Sequence, residues 1–90
     1  MKIGVIKETQ KGEKRVAISP NISKLLIEKG FELLVEKDAG FASSYKDSDY
    51  ESVGAKIVNR ETLFNESTVL IKINPFDEDD LKLVNNTQIL

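Results

Sequence analysis

Ninety residues allow one domain with one modest core, in which roughly 60 to 65% of the extended-chain surface is buried. With 40% hydrophobic and 31% charged residues and a formal net charge of -2, the chain has an ordinary water-soluble balance and no electrostatic reason to bind nucleic acid or an anionic membrane. It has no cysteine and no histidine, which excludes disulfides, thiolate chemistry, the usual zinc sites and imidazole acid-base catalysis within these residues.

The chain opens on a strand, Lys2 to Ile6, with Ile3 and Val5 on one face and Gly4 and Ile6 on the other. This start leaves no room for a signal or transit peptide, no apolar run approaches the roughly 18 to 20 residues of a membrane span, and the chain reads as cytosolic in character. A basic loop holding Arg15 leads to Ser19, a natural N-cap, and Pro20, suited to the first helical position. Ile22, Leu25, Leu26 and Lys29 keep helical spacing until Gly30, so the first helix is expected over about Pro20 to Lys29. Phe31 to Glu36 is the second strand. After a polar loop, Ser48 and Glu51 fit a capping box for a short helix ending at Gly54. Lys56 to Val58 is a short strand, Arg60 to Asn65 a turn or so of helix, and Thr68 to Ile73 a buried parallel strand closed by Pro75. Asp77 to Asp80 then suit the start of a last helix, because carboxylates favour the unpaired amides there, and they lack the spacing of a calcium loop. Gln88-Ile89-Leu90 reads as the beginning of a further strand, so the sequence is expected to be the N-terminal piece of a longer protein. Alternating strands and helices imply the α/β class: a Rossmann-like (flavodoxin-like) open parallel sheet with flanking helices.

In such sheets ligands sit at the carboxyl ends of the strands, which singles out three residues. Arg15 offers a planar fork for a carboxylate, or else pairs with Glu8 or Glu13 to pin its loop. Lys72 offers a charge to a ligand or snorkels to solvent. Asn74 neither donates nor accepts a proton at neutral pH and also suits a strand-to-turn junction before Pro75. No G-x-G-x-x-G loop is present, so these residues are not expected to hold a dinucleotide themselves, or only weakly.

Gly4-Val5, Lys7-Glu8, Glu13, Arg15-Val16-Ala17 and Ser19-Pro20 together resemble the opening of the alanine dehydrogenase and pyridine nucleotide transhydrogenase N-terminal domain. The resemblance runs on through Lys29-Gly30-Phe31-Glu32, Val35-Glu36, Ala39-Gly40, Tyr50, Gly54-Ala55 and Ile71-Lys72-Ile73-Asn74-Pro75, nearly the whole chain in one register. Ile6 and Gly12 depart from it at a usual proline and a usual asparagine, both changes of loop stiffness.

The resemblance implies that Arg15 matches the arginine that binds the keto-acid carboxylate in alanine dehydrogenases. It also implies that Asn74 stands where those enzymes carry a second lysine, which assists proton transfer. Losing such a group typically slows a reaction about 10²- to 10⁴-fold, so the sequence resembles the transhydrogenase alpha subunit more closely. That branch passes hydride between NADH and NADP+, coupled to proton translocation. It implies NAD(H) and NADP(H) as cofactors of the full-length enzyme, a Rossmann NAD-binding domain beyond Leu90, membrane and NADP-binding subunits or domains as partners, a homodimer, and a soluble domain on the cytoplasmic face of a membrane-associated enzyme. Arg15, Lys72 and Asn74 would then line the crevice wall, with no catalytic residue in these ninety. The competing expectations are an alanine dehydrogenase, the more distant lysine or saccharopine dehydrogenase group, and, for a complete chain, a non-catalytic ligand-binding or interaction module.

Overall fold

The structure, a computed structural model, describes residues 2–8 and 12–73. Strand β1 (Lys2–Val5) pairs in parallel with β2 (Glu32–Glu36) on one side and with β4 (Val69–Ile71) on the other, and β2 pairs with β3 (Lys56–Val58). The order β3-β2-β1-β4 makes an open parallel α/β sheet of Rossmann-like order. The chain steps outward from β1 to β3 and then returns to the opposite flank of β1. That reversal puts the topological switch point between β1 and β4.

Helix α1 (Pro20–Glu28) begins as its sequence dictates, with the Ser19 hydroxyl accepting the Ile22 amide. It ends in a Schellman arrangement: Gly30 at φ 99° donates to the Ile27 carbonyl and Phe31 donates to Leu26. Of the residues expected at helical spacing, only Leu26 packs against the sheet. Ile22 and Leu25 remain 47% and 52% exposed, while Ser23, Leu26 and Ile27 turn to the sheet. Ser23 is fully buried and donates to the Ser19 carbonyl at 2.9 Å, a small side chain that lets the helix approach closely.

Helix α2 (Asp47–Glu51) also begins elsewhere than expected. The Ser48–Glu51 box does not form. Lys46 is the extended N-cap residue, and the Asp49 carboxylate accepts its amide at 2.8 Å, so the acidic half of the cap is Asp49. Asp47 turns outward from the helix to accept the Asp38 amide. Helix α3 (Arg60–Glu66) is capped by Asn59, whose side-chain oxygen accepts the Thr62 amide.

The two faces of the sheet follow the two-residue period. Ile3, Val5, Leu33 and Val35 pack with Ile18, Ala39, Tyr50 and Ala55 beneath α1 and α2. Ile6, Leu34 and Leu70 pack with Leu63 and Phe64 of α3 on the other face. β4 is shorter and less covered than expected. Only Leu70 is buried, because β4 pairs with β1 alone among the described residues and so has one edge without a described neighbour. The last helix expected from Asp77 and the strand expected at Gln88–Leu90 lie outside the described residues.

Candidate functional site

The carboxyl ends of β1 and β4 meet at the switch point. Beyond the last β1–β4 pair, Val5 with Ile71, the Ile6 amide still donates to the Ile71 carbonyl at 3.2 Å. Past that point, side chains take over from the backbone ladder. The Glu8 carboxylate accepts the Ile73 amide at 2.9 Å and ties the loop leaving β1 to the end of β4. The Glu36 carboxylate accepts the Lys7 amide at 3.0 Å and the Arg60 guanidinium at 2.9 Å, tying the same loop to β2 and the start of α3. Arg60 also lies 5.5 Å from the centre of the Phe64 ring.

Arg15 sits on this loop with its fork filled. Its Nε and Nη2 donate to the two oxygens of Glu13 at 2.9 Å each, and its own amide donates to Glu13 as well. The pair is lopsided, with the arginine side chain 71% exposed and the glutamate 9%. Hydrogen bonding to Glu13 and that carboxylate's charge hold the guanidinium above its usual range; slight desolvation opposes this, and the charge of Glu8 adds to it. Arg15 and Glu8 therefore share one electrostatic neighbourhood, and the loop-pinning arrangement is the one formed. The loop is anchored further along, where the Ser43 hydroxyl donates to the Lys14 carbonyl and the buried Tyr50 hydroxyl donates to Ile18 at 2.8 Å. Burial, with the charges of Tyr45, Asp47 and Asp49, pushes the Tyr50 hydroxyl up to about 12.

Lys72 directly follows β4 and is half-buried, at the carboxyl edge where a ligand crevice belongs. Asn74 lies outside the described residues. Sequence reasoning missed the Glu36–Arg60 pair. The signal was present: Glu36 stands two residues from the buried Leu34 on the same strand face, and a carboxylate there demands a cation.

Among the described residues no glycine-rich strand-to-helix turn, the usual cradle of a dinucleotide pyrophosphate, follows β1. Instead β1 is followed, among those residues, by Glu8 and the Glu13–Arg15 pair, and the next helix, α1, begins only at Pro20 behind a Ser19 cap. Among the described residues no group of three or more acidic side chains is arranged to hold a metal ion, and no helix is long and apolar enough to cross a membrane. A cavity of about 180 Å³ lies at the opposite, amino edge of the sheet, between Lys2, Phe31, Glu32, Gly54, Lys56 and Glu66. None of Glu8, Arg15, Glu36 or Lys72 lines it.

Comparison with known proteins agrees with this layout. An alanine dehydrogenase of Staphylococcus haemolyticus is 39% identical over all 90 residues, and the first portion of the alpha subunit of an NAD(P) transhydrogenase of Rickettsia prowazekii is 37% identical over 81 residues, 89% of the chain. The chain spans 24% and 21% of these relatives' lengths, so it corresponds to about a quarter of each. Solved structures of an L-alanine dehydrogenase and of a transhydrogenase from Sinorhizobium meliloti both superpose with a TM-score of 0.92 over 98% of the chain, at 29% and 26% identity, and the chain covers 24% and 26% of them. Residues 4–90 match the family model for the alanine dehydrogenase/PNT N-terminal domain, and the chain belongs to that family.

Proposed function

We propose that this chain is the N-terminal part of the NAD(H)-binding component of a proton-translocating NAD(P) transhydrogenase, an oxidoreductase that moves hydride between NADH and NADP+. The observation that carries the reading is the triplet Lys72-Ile73-Asn74: an amide stands where the alanine dehydrogenase branch has a lysine that assists proton transfer. The Arg15 fork supports it, since Glu13 already fills both of its bidentate positions. Hydride exchange between two nicotinamides asks the protein to position the rings and exclude water, with no side-chain acid or base.

In this reading the dinucleotide lies in a Rossmann domain outside these residues. Arg15, Lys72 and Asn74 contribute to the wall of the crevice that the domain closes against. The component acts as a soluble domain on the cytoplasmic face, as a homodimer, with membrane and NADP-binding domains or subunits as partners.

The 39% identity to an alanine dehydrogenase along the entire chain favours a second reading, in which Arg15 binds a keto-acid carboxylate after Glu13 has moved aside. Two assays on the full-length protein decide between them. Transfer of hydride from NADH to an NADP+ analogue is expected, with no reductive amination of pyruvate by NADH and ammonium. Robust pyruvate turnover would overturn the assignment drawn from Asn74.

A further inference from the structure

We infer that Glu36 and Arg60 form a positioning pair for the switch-point crevice, resting on the reading above only for the reaction that the crevice serves. Among the described buried residues, Glu36 is the one with a formal charge. Its Oε1 receives both the Lys7 amide at 3.0 Å and Arg60 Nη1 at 2.9 Å, and its Oε2 lies 3.2 Å from the same nitrogen. Stability alone does not account for such a pair. Desolvation of two charges offsets much of their attraction, and well-packed apolar replacements are often neutral or stabilising.

An apolar pair could not accept a backbone amide. Lys7 lies past the last β1–β2 ladder pair, Val5 with Val35, and its amide takes the Glu36 carboxylate in place of a strand carbonyl. The next residue, Glu8, takes the Ile73 amide. Polar contacts thus cross the carboxyl edge of the sheet from the start of α3 through β2 and β1 to the end of β4. Arg60 fixes the Glu36 carboxylate, Glu36 fixes the backbone at Lys7, and Lys7 sets where Glu8 can hold the segment carrying Lys72 and Ile73. Crevice geometry is sensitive to small displacements, since an error of about 1 Å can cost up to about 100-fold in rate.

The test uses the full-length protein with Glu36→Ala and Glu36→Gln. In Glu36→Ala, amide exchange in the peptide containing Ile73, two strands away from the substitution, should accelerate about tenfold, and the substrate KM should rise about tenfold with a smaller change in kcat. Glu36→Gln keeps an oxygen for the Lys7 amide and should recover most of both. If Glu36→Ala lowers the unfolding temperature but leaves Ile73 exchange and KM at wild-type values, the pair is merely stabilising and the inference is wrong. Should Glu36→Ala fail to fold, the double variant Glu36→Gln with Arg60→Met, free of buried charge, takes its place. Its unanchored acceptor should give intermediate exchange and KM, and wild-type values of both would overturn the inference. KM is read on whichever reaction the wild type performs. A wild type inactive in both assays refutes the proposed reaction, while exchange at Ile73 still decides the positioning role.

Discussion

At Gly4 the residue just past α3, Ser67, lies directly against β1, and replacing the glycine with alanine tests how the switch point is built. An added Cβ would lie 2.1 Å from the Ser67 hydroxyl oxygen, 2.8 Å from the Ser67 Cβ and 3.1 Å from Leu70 Cδ2. Ser67 follows α3 and is the residue from which the chain enters β4, so relief of the clash must push β4 away from β1 or tilt the end of α3. Overpacking of this kind costs about 1 to 3 kcal/mol, and the smaller unfolded-state entropy of alanine returns about 0.4 to 1 kcal/mol. The net loss expected for Gly4→Ala is about 1 to 2 kcal/mol, or about 4 to 16 °C in unfolding temperature for a domain of this size. Thermal unfolding followed by circular dichroism measures it. Because two of the three contacts belong to Ser67, Ser67→Gly should suppress the defect further than Ser67→Ala, which removes only the hydroxyl. A Gly4→Ala variant as stable as the wild type, or one equally unstable with and without Ser67→Gly, would refute the packing described between α3 and β1.

Tyr50 gives a pH test. Its hydroxyl, ordinarily near 10, is raised to about 12 in the folded chain, so between these values the unfolded state has lost a proton that the native state keeps. Stability should therefore be complete below about pH 10 and fall as pH rises toward 12, and Tyr50→Phe should flatten that fall in urea titrations. At neutral pH the same substitution should cost about 1 to 3 kcal/mol by leaving the Ile18 carbonyl without its partner; an unchanged midpoint would contradict the buried 2.8 Å bond. Glu13→Gln removes the charge that fills the Arg15 fork. It should raise the affinity of the protein for a small carboxylate such as pyruvate, measured by calorimetry, and no increase would mean that Glu13 does not limit access to Arg15.

The parts of the fold that were legible in the sequence are those fixed by local chemistry. Ser19-Pro20 and Gly30 bracket α1 because capping and a positive φ involve only neighbouring residues. The face assignment of Ile3 and Val5 against Gly4 and Ile6 followed from the strand period alone. Illegible features were settled by competition or by distance. Several acidic residues stand near α2, and Asp49 satisfied Lys46 before Glu51 could satisfy Ser48, which moved the helix start. Ile22 and Leu25 fit a helical stripe as well as Ser23, Leu26 and Ile27 do, and only the sheet beneath α1 chose between them. Of the site, the Arg15–Glu13 pairing spans two residues and was open to reasoning, whereas Glu36 with Arg60 and Glu8 with Ile73 join positions 24 and 65 apart.

That division bears on how one scaffold serves two reactions. The backbone superposes equally well on an alanine dehydrogenase and on a transhydrogenase, so no property of the sheet can select between them. Within these residues, selection would rest on side chains that leave the fold unchanged, and the proposed reading names two. One is position 74, where, in that reading, an amide takes the place of an ammonium. The other is the Arg15 fork, whose exposure leaves it reachable while Glu13 keeps it occupied. In the alternative keto-acid reading, that fork would have to release Glu13 in favour of the substrate's carboxylate. In the proposed transhydrogenase reading Glu13 stays in place, because aligning two nicotinamides asks for no carboxylate site and the paired loop is already held by Glu8, Glu36 and Tyr50.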